Sequence, residues 1–187
     1  QIVQVFNDSM TNVAGGLNSG PLSTSIIINF TAFDSDGNLN TSSASINFTR
    51  DGETLRQNTT CNNFQSAGNY ANFTCNVTMF WWDGAGAWNI SASIKDNQSN
   101  FGQNITNRFT VGSTTGFQLS TSALTWAGLS PGMTNQTSSN QPLVLNNTGN
   151  KNISVNEIGI NATDLLGEQN SVYGLWAGNF SAAPFSG

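Results

Sequence analysis

Histidine is missing from this chain of 187 residues, and charge is scarce: five Lys and Arg and ten Asp and Glu, 8% in all. An ordinary soluble domain carries about 25%. Without His, the commonest general base is gone. Five cations are too few to neutralise a run of phosphates, which excludes nucleic acid as a partner. Ten carboxylates are too sparse for a halophilic surface, although the net charge is −5 and the pI about 4.2. Two Cys with no His cannot make a zinc site. Gly-x-Ser-x-Gly and phosphate-loop patterns are also lacking. Most of the seven Asp precede Gly or Ser, where turn chemistry accounts for them. These absences argue against an enzyme and against any cofactor. Aliphatic runs are no longer than Ile26-Ile27-Ile28, far below a membrane span. The sequence begins with Gln rather than Met, which leads us to expect a signal peptide removed ahead of it.

Asn, Ser and Thr stand where charge is missing. The chain holds 28 Asn and 42 Ser plus Thr. In random order these would give about 6 Asn-x-Ser/Thr triplets. The sequence has 15, none with Pro in the middle. They begin at Asn7, Asn29, Asn40, Asn47, Asn58, Asn72, Asn76, Asn89, Asn97, Asn104, Asn135, Asn146, Asn152, Asn161 and Asn179. Alternate residues of a strand face opposite sides, so Asn-apolar-Thr also reads simply as out, in, out. Eight of the 15 carry Phe, Ile or Val in the middle and fit that reading. It does not account for the triplets at Asn40, Asn58, Asn97 and Asn135, which fall among turn residues. Nor does it explain why Asn, a poor strand former, replaces Lys and Glu. N-linked sugar on most of these Asn is the expectation; bare polar strands are the alternative. In such a chain Cys61 and Cys75 are expected to form a disulfide in an oxidising, extracellular or cell-surface setting. The alternative is two buried thiols.

Period-two patterning runs along the chain, and helical periodicity is nearly absent. Strands are expected at 1–6, 24–33, 43–50, 53–61, 69–82, 86–95 and 104–111, and further along at 117–126, 141–146, 152–164, 172–176 and 179–182. Asp36-Gly37, Asp51-Gly52 and Asp83-Gly84 mark turns between them. In 69–82, "NYANFTCNVTMFWW", Phe73, Cys75, Val77, Met79 and Trp81 share one parity. Asn72, Thr74, Asn76 and Thr78 share the other. Trp88, Ile90, Ala92 and Ile94 are expected to point inward from the next strand. The fold class is all-β, with two immunoglobulin-like or jelly-roll-like antiparallel sandwich modules. Residues 1–22 form an N-terminal strand and loop, 23–111 the first sandwich, 112–116 ("GSTTG") a linker and 117–187 a second, smaller sandwich. That second module is short of strands. It is expected either to continue beyond residue 187 or to be completed by something else.

The stretch "FDSDGNLNTSSASINFTRDGET", with "NYANFTCNVTMFWWDGAGAWNISASIKDNQSN", resembles the repeated immunoglobulin-like modules of archaeal cell-surface proteins. "ALTWAGLSPGMTNQTSSNQPLVLNNTGNKNISV" is loosely similar to β-sandwich fibre subunits of the camelysin type. The resemblance covers most of residues 24–165. It implies an extracellular, glycosylated structural protein and brings no catalytic residues.

Three local features are candidate sites. Asp34 and Asp36 of "DSDGNLN" could face calcium, although Leu39 and Ser45 stand where a helix–loop–helix calcium loop needs Gly and Glu; the alternative is a polar turn. Phe80 and Trp82 are expected to face outward if Trp81 faces in, as a contact for surface glycans or a partner. The alternative is a bulge that turns both rings into the core. Ile2, Val3, Val5 and Phe6 form a short apolar strand tethered by a Gly- and Asn-rich loop. Such a strand could complement a groove in the next copy, giving a head-to-tail homopolymer; the alternative is the first strand of its own sandwich. The function expected is therefore a structural subunit of an extracellular filament. The alternative is a surface-layer or adhesive, sugar-binding glycoprotein.

Overall fold

The computed structural model of the chain describes residues 3–10 (backbone), 16–130, 132–140 and 143–182. Among the described residues nine strands build the first part: β1 (Val3–Met10), β2 (Ser23–Asp34), β3 (Leu39–Thr49), β4 (Arg56–Asn58), β5 (Asn62–Ala67), β6 (Tyr70–Phe80), β7 (Gly86–Asp96), β8 (Phe101–Asn104) and β9 (Arg108–Val111). One sheet has the order β1-β2-β6-β5. The other runs β4-β3-β7-β8, with β9 also paired to β7. All the pairings are antiparallel. Lettered in chain order, with β8 and β9 sharing the last letter, these are the A-B-E-D and C′-C-F-G sheets of an immunoglobulin-like sandwich.

Side-chain parity makes the sandwich. Ile26, Ile28, Phe30 and Ala32 of β2 are buried, as are Ala71, Phe73, Cys75, Val77 and Met79 of β6. From the facing sheet come Ile46 and Phe48 of β3 and Trp88, Ile90, Ala92 and Ile94 of β7. Phe30 stacks on Phe73 with centroids 5.0 Å apart, because the register sets them directly opposite each other. Phe109 closes against Phe48 at 4.7 Å. Such pairs add roughly 0.5–1.5 kcal/mol beyond the area they bury.

Several elements differ from the sequence reading. The first strand runs on to Met10, because it pairs with β2 as far as Ile28 across a bulge between Asn7 and Ser9. The strand expected over 53–61 shrinks to Arg56–Asn58, and β5 arises where no strand is expected. β5 lacks an apolar face: its residues are exposed or half-buried, and backbone pairing to β6 holds it. The strand expected at 104–111 is broken into β8 and β9. The Asn104 side chain accepts from Thr106 N at 3.0 Å, a local bond that competes with the ladder.

Residues 112–116 are bound into the first unit. Thr114 N donates to Asn150 Oδ1 at 2.6 Å, and Thr148 N to Gly116 O at 3.0 Å. Residues 147–152 accordingly cluster with 1–118, while 119–146 and 153–187 form the other unit. The backbones meet closely there: a Cβ on Gly149 would lie 2.2 Å from Thr114 O. β10 (Phe117–Leu119) pairs with β11 (Leu145–Asn147), and β12 (Leu165–Leu166) with β13 (Gly174–Leu175). No second sandwich forms among the described residues of 117–187. No described residue of the second unit is buried, and strands of two or three residues cannot present the facing sheets a sandwich core needs.

Cys61 and Cys75 are disulfide-bonded. Cys61 directly precedes β5, whose Asn62 pairs with Thr74, so the bridge fastens the start of a weakly packed strand to β6. Cys61 N also donates to Ala44 O at 3.3 Å. Replacing both cysteines by Ala is expected to lower the unfolding free energy by roughly 3 kcal/mol, the loop-closure value for a span of this length. Urea denaturation of the oxidised protein measures it.

Candidate functional site

The candidate site lies at the end of β6 and is built on Asp83. The last inward residue of β6 is Met79. The strand stops at Phe80, and Asp83 N returns a hydrogen bond to Phe80 O at 2.9 Å. This turn leaves Trp81 half-buried rather than in the core, where strand parity alone would put it. Its ring lies over Gly20, where a Cβ would come within 2.8 Å of the indole. Asp83 is fully buried and accepts from Phe80 N at 2.8 Å. Arg56 of β4 reaches it with Nε at 3.0 Å from both carboxylate oxygens and Nη2 at 2.5 Å from Oδ1. Asn150 Nδ2 donates to Asp83 O at 3.1 Å.

The guanidinium that holds Asp83 also lies over the Phe80 ring, 4.7 Å from its centroid. Trp82 stacks on Phe80, with centroids 4.7 Å apart and planes 11° from parallel. Trp81 meets Trp82 edge-on at 5.1 Å. Cation and rings therefore form a ladder that ends on Trp82, which is 50% exposed. Phe80 and Trp82 lie outside the core, and no bulge turns them inward. Beside the ladder runs an open groove lined by Leu55, Arg56, Asn58, Asn76, Thr78 and Phe80. Aromatic faces, a guanidinium, amides and hydroxyls are groups that bind sugar rings or planar polar partners.

Arg56 and Asp83 were not singled out by the sequence. Asp83 reads as a turn residue before Gly84, and Arg56 lies 27 positions away, so no local pattern links them.

The acceptor triplets are distributed over both sheets. Asn29, Asn72 and Asn76 lie on β2 and β6, Asn40, Asn47 and Asn89 on β3 and β7, Asn58 on β4 and Asn104 on β8. Asn97 is in the turn after β7. Asn135, Asn146, Asn152, Asn161 and Asn179 are exposed in the second part of the chain. The backbone of Asn7 lies in β1. Asp34 is buried, and its Oδ1 accepts from Asp36 N at 3.3 Å while its carbonyl accepts from Gly37 N at 3.0 Å. This is the geometry of a polar turn with Gly37 at φ +66°. Among the described residues no group of three or more His, Cys, Asp or Glu could hold a metal ion. Ile2 lies outside the described residues. Val3, Val5 and Phe6 stand opposite Asp34, Ala32 and Thr31 of β2 in the same chain.

Comparison with protein-family models, with curated proteins and with solved structures finds no match to this chain.

Asp83→Ala is expected to cost about 3–5 kcal/mol, because it leaves the Arg56 charge part-buried and unpaired and the Phe80 N–H without its acceptor. Combining it with Arg56→Met should recover much of that loss. Equilibrium unfolding of the two variants checks both.

Proposed function

We propose that this chain is a glycosylated structural subunit of an extracellular filament of the archaeal cell-surface kind its sequence resembles, joined head-to-tail by exchange of β1. The observation that carries this reading is the place of β1: among the described residues it is an edge strand whose one backbone ladder is to β2. A strand held by one neighbour leaves a complete slot when it departs, and the same register can be filled from another copy. The chain that follows it, Thr11-Asn12-Val13-Ala14-Gly15-Gly16, has two glycines. Six residues reach about 20 Å when extended. Leu17 is buried and its carbonyl accepts from Thr114 Oγ1 at 3.3 Å, so the chain is fixed to the sandwich from that residue. Exchange of this kind is heterologous and propagates. The disulfide is compatible with an extracellular setting. Among the described residues no helix is long and apolar enough to cross a membrane. The expected outcome is that Val5→Cys with Ala32→Cys, once oxidised within a single chain, prevents filament growth in negative-stain images. Reduction should restore it. Filaments grown equally well from the locked protein would rule exchange out.

A second reading, an adhesive or surface-layer glycoprotein, draws support from the exposed end of the ring ladder. Under it, soluble sugars should quench tryptophan fluorescence, and Trp82→Ala should abolish the response.

A further inference from the structure

The acceptor triplets differ in what their side chains already do. Asn58 Oδ1 accepts two hydrogen bonds from its own triplet, from Thr60 N at 2.8 Å and Thr60 Oγ1 at 3.2 Å. Asn104 Oδ1 does the same with Thr106 N at 3.0 Å and Thr106 Oγ1 at 2.8 Å. Both Asn end an outer strand of the same sheet, β4 on one side and β8 on the other. Thr60 and Thr106 are exposed.

Triplets inside a regularly extended stretch of strand cannot take this form. Successive same-face residues of a strand are about 6.6 Å apart, so the hydroxyl two positions on is out of reach. The amides of Asn72 and Asn76 are tied across the sheet instead. Asn72 accepts from Thr31 Oγ1 at 2.8 Å and donates to Gln65 Oε1 at 3.1 Å. Asn76 Oδ1 accepts from the Ser25 hydroxyl. Asn47 Oδ1 is buried, with no partner among the described residues. Asn97 lies in a turn, but its Ser99 N donates to Asp96 O at 3.1 Å. Asn40 makes half of the pattern, with Ser42 N 3.2 Å from Oδ1.

This difference bears on chemistry. An amide nitrogen is a poor nucleophile because its lone pair is delocalised into the carbonyl. Removing one Nδ2 proton gives an imidate, whose negative charge rests largely on Oδ1. Two donors already aimed at that oxygen stabilise the charge as it develops.

We infer that Asn58 and Asn104 are the preferred glycan acceptors of the sandwich, ahead of the triplets carried inside strands; this rests on the glycosylation reading above. The donor is a glycosyl phosphate and the catalyst a separate transferase. A base of that transferase takes a proton from Nδ2, and the nitrogen bonds to the anomeric carbon. The anomeric C–O bond to phosphate breaks, and the phosphate leaves with the bonding pair. Asn58 Nδ2 gives one hydrogen to Asn76 O at 2.8 Å and has its second for exchange.

Site-resolved mass spectrometry of the native secreted protein tests this. The ratio of occupied to bare Asn58 and Asn104 is expected to exceed that of Asn47 and Asn72 at least about tenfold, the weight of one charge-assisted hydrogen bond. Thr60→Ser, which keeps the hydroxyl, should preserve occupancy at Asn58. Equal occupancy at strand and turn triplets would overturn the inference while leaving glycosylation standing. An intact mass of 19.8 kDa would overturn both.

Discussion

The fold depends on the position of β6 between β2 and β5. Eleven register pairs, from Ser23↔Phe80 to Phe33↔Tyr70, lock it to β2. With that register set, one parity of β6 supplies much of the core and Phe73 meets Phe30. A slip by one residue would put Asn or Thr in place of Phe73, Cys75 and Val77. On its other edge the register with β5 puts Cys75 beside Cys61, and the strand ends at Phe80. Core, disulfide and candidate site thus share one determinant.

Much of the sandwich was legible because the alternation is strong. Phe73, Cys75, Val77 and Met79, and likewise Trp88, Ile90, Ala92 and Ile94, are buried as their parity requires. Trp81 departs from its parity because the strand ends one residue before it, at a turn fixed by Asp83, and a side chain's hydrogen bonds are not visible in a hydropathy pattern. β5 was hidden for a related reason: an edge strand held by backbone pairing and a disulfide needs no apolar face. In the second part of the chain the pattern misleads in the other direction. Val155, Val172 and Tyr173 sit in runs that alternate well enough, yet each is strongly exposed. Alternation marks a strand only where a second layer covers it.

The Asn and Thr of the outer faces have a role in the bare protein. Thr31, Asn72 and Gln65 form a chain of bonds across three neighbouring strands. Ser45 and Ser93 bond across β3 and β7 at 2.8 Å, and Gln103 reaches Ser91 at 2.6 Å. Short polar side chains do between strands what ion pairs do on more highly charged surfaces, with less rotamer entropy to lose. Out, in, out patterning therefore explains the triplets at Asn72 and Asn76. At Asn58 and Asn104 patterning is not the whole account, because the Oδ1 of each accepts from the Thr of its own triplet rather than from a neighbouring strand.

A chain with so few charges places one of its five cations in a part-buried pair with Asp83. Buried ion pairs are poor sources of net stability, since desolvation offsets the attraction. What this pair fixes is a direction. One carboxylate fills the guanidinium and takes the Phe80 N–H. The guanidinium then has one place to lie, over Phe80, and Phe80 carries Trp82. An apolar substitute could fill the volume but could not hold the N–H or set the plane of the rings. The orientation of the exposed indole thus traces back, through two stacking contacts, to a buried carboxylate.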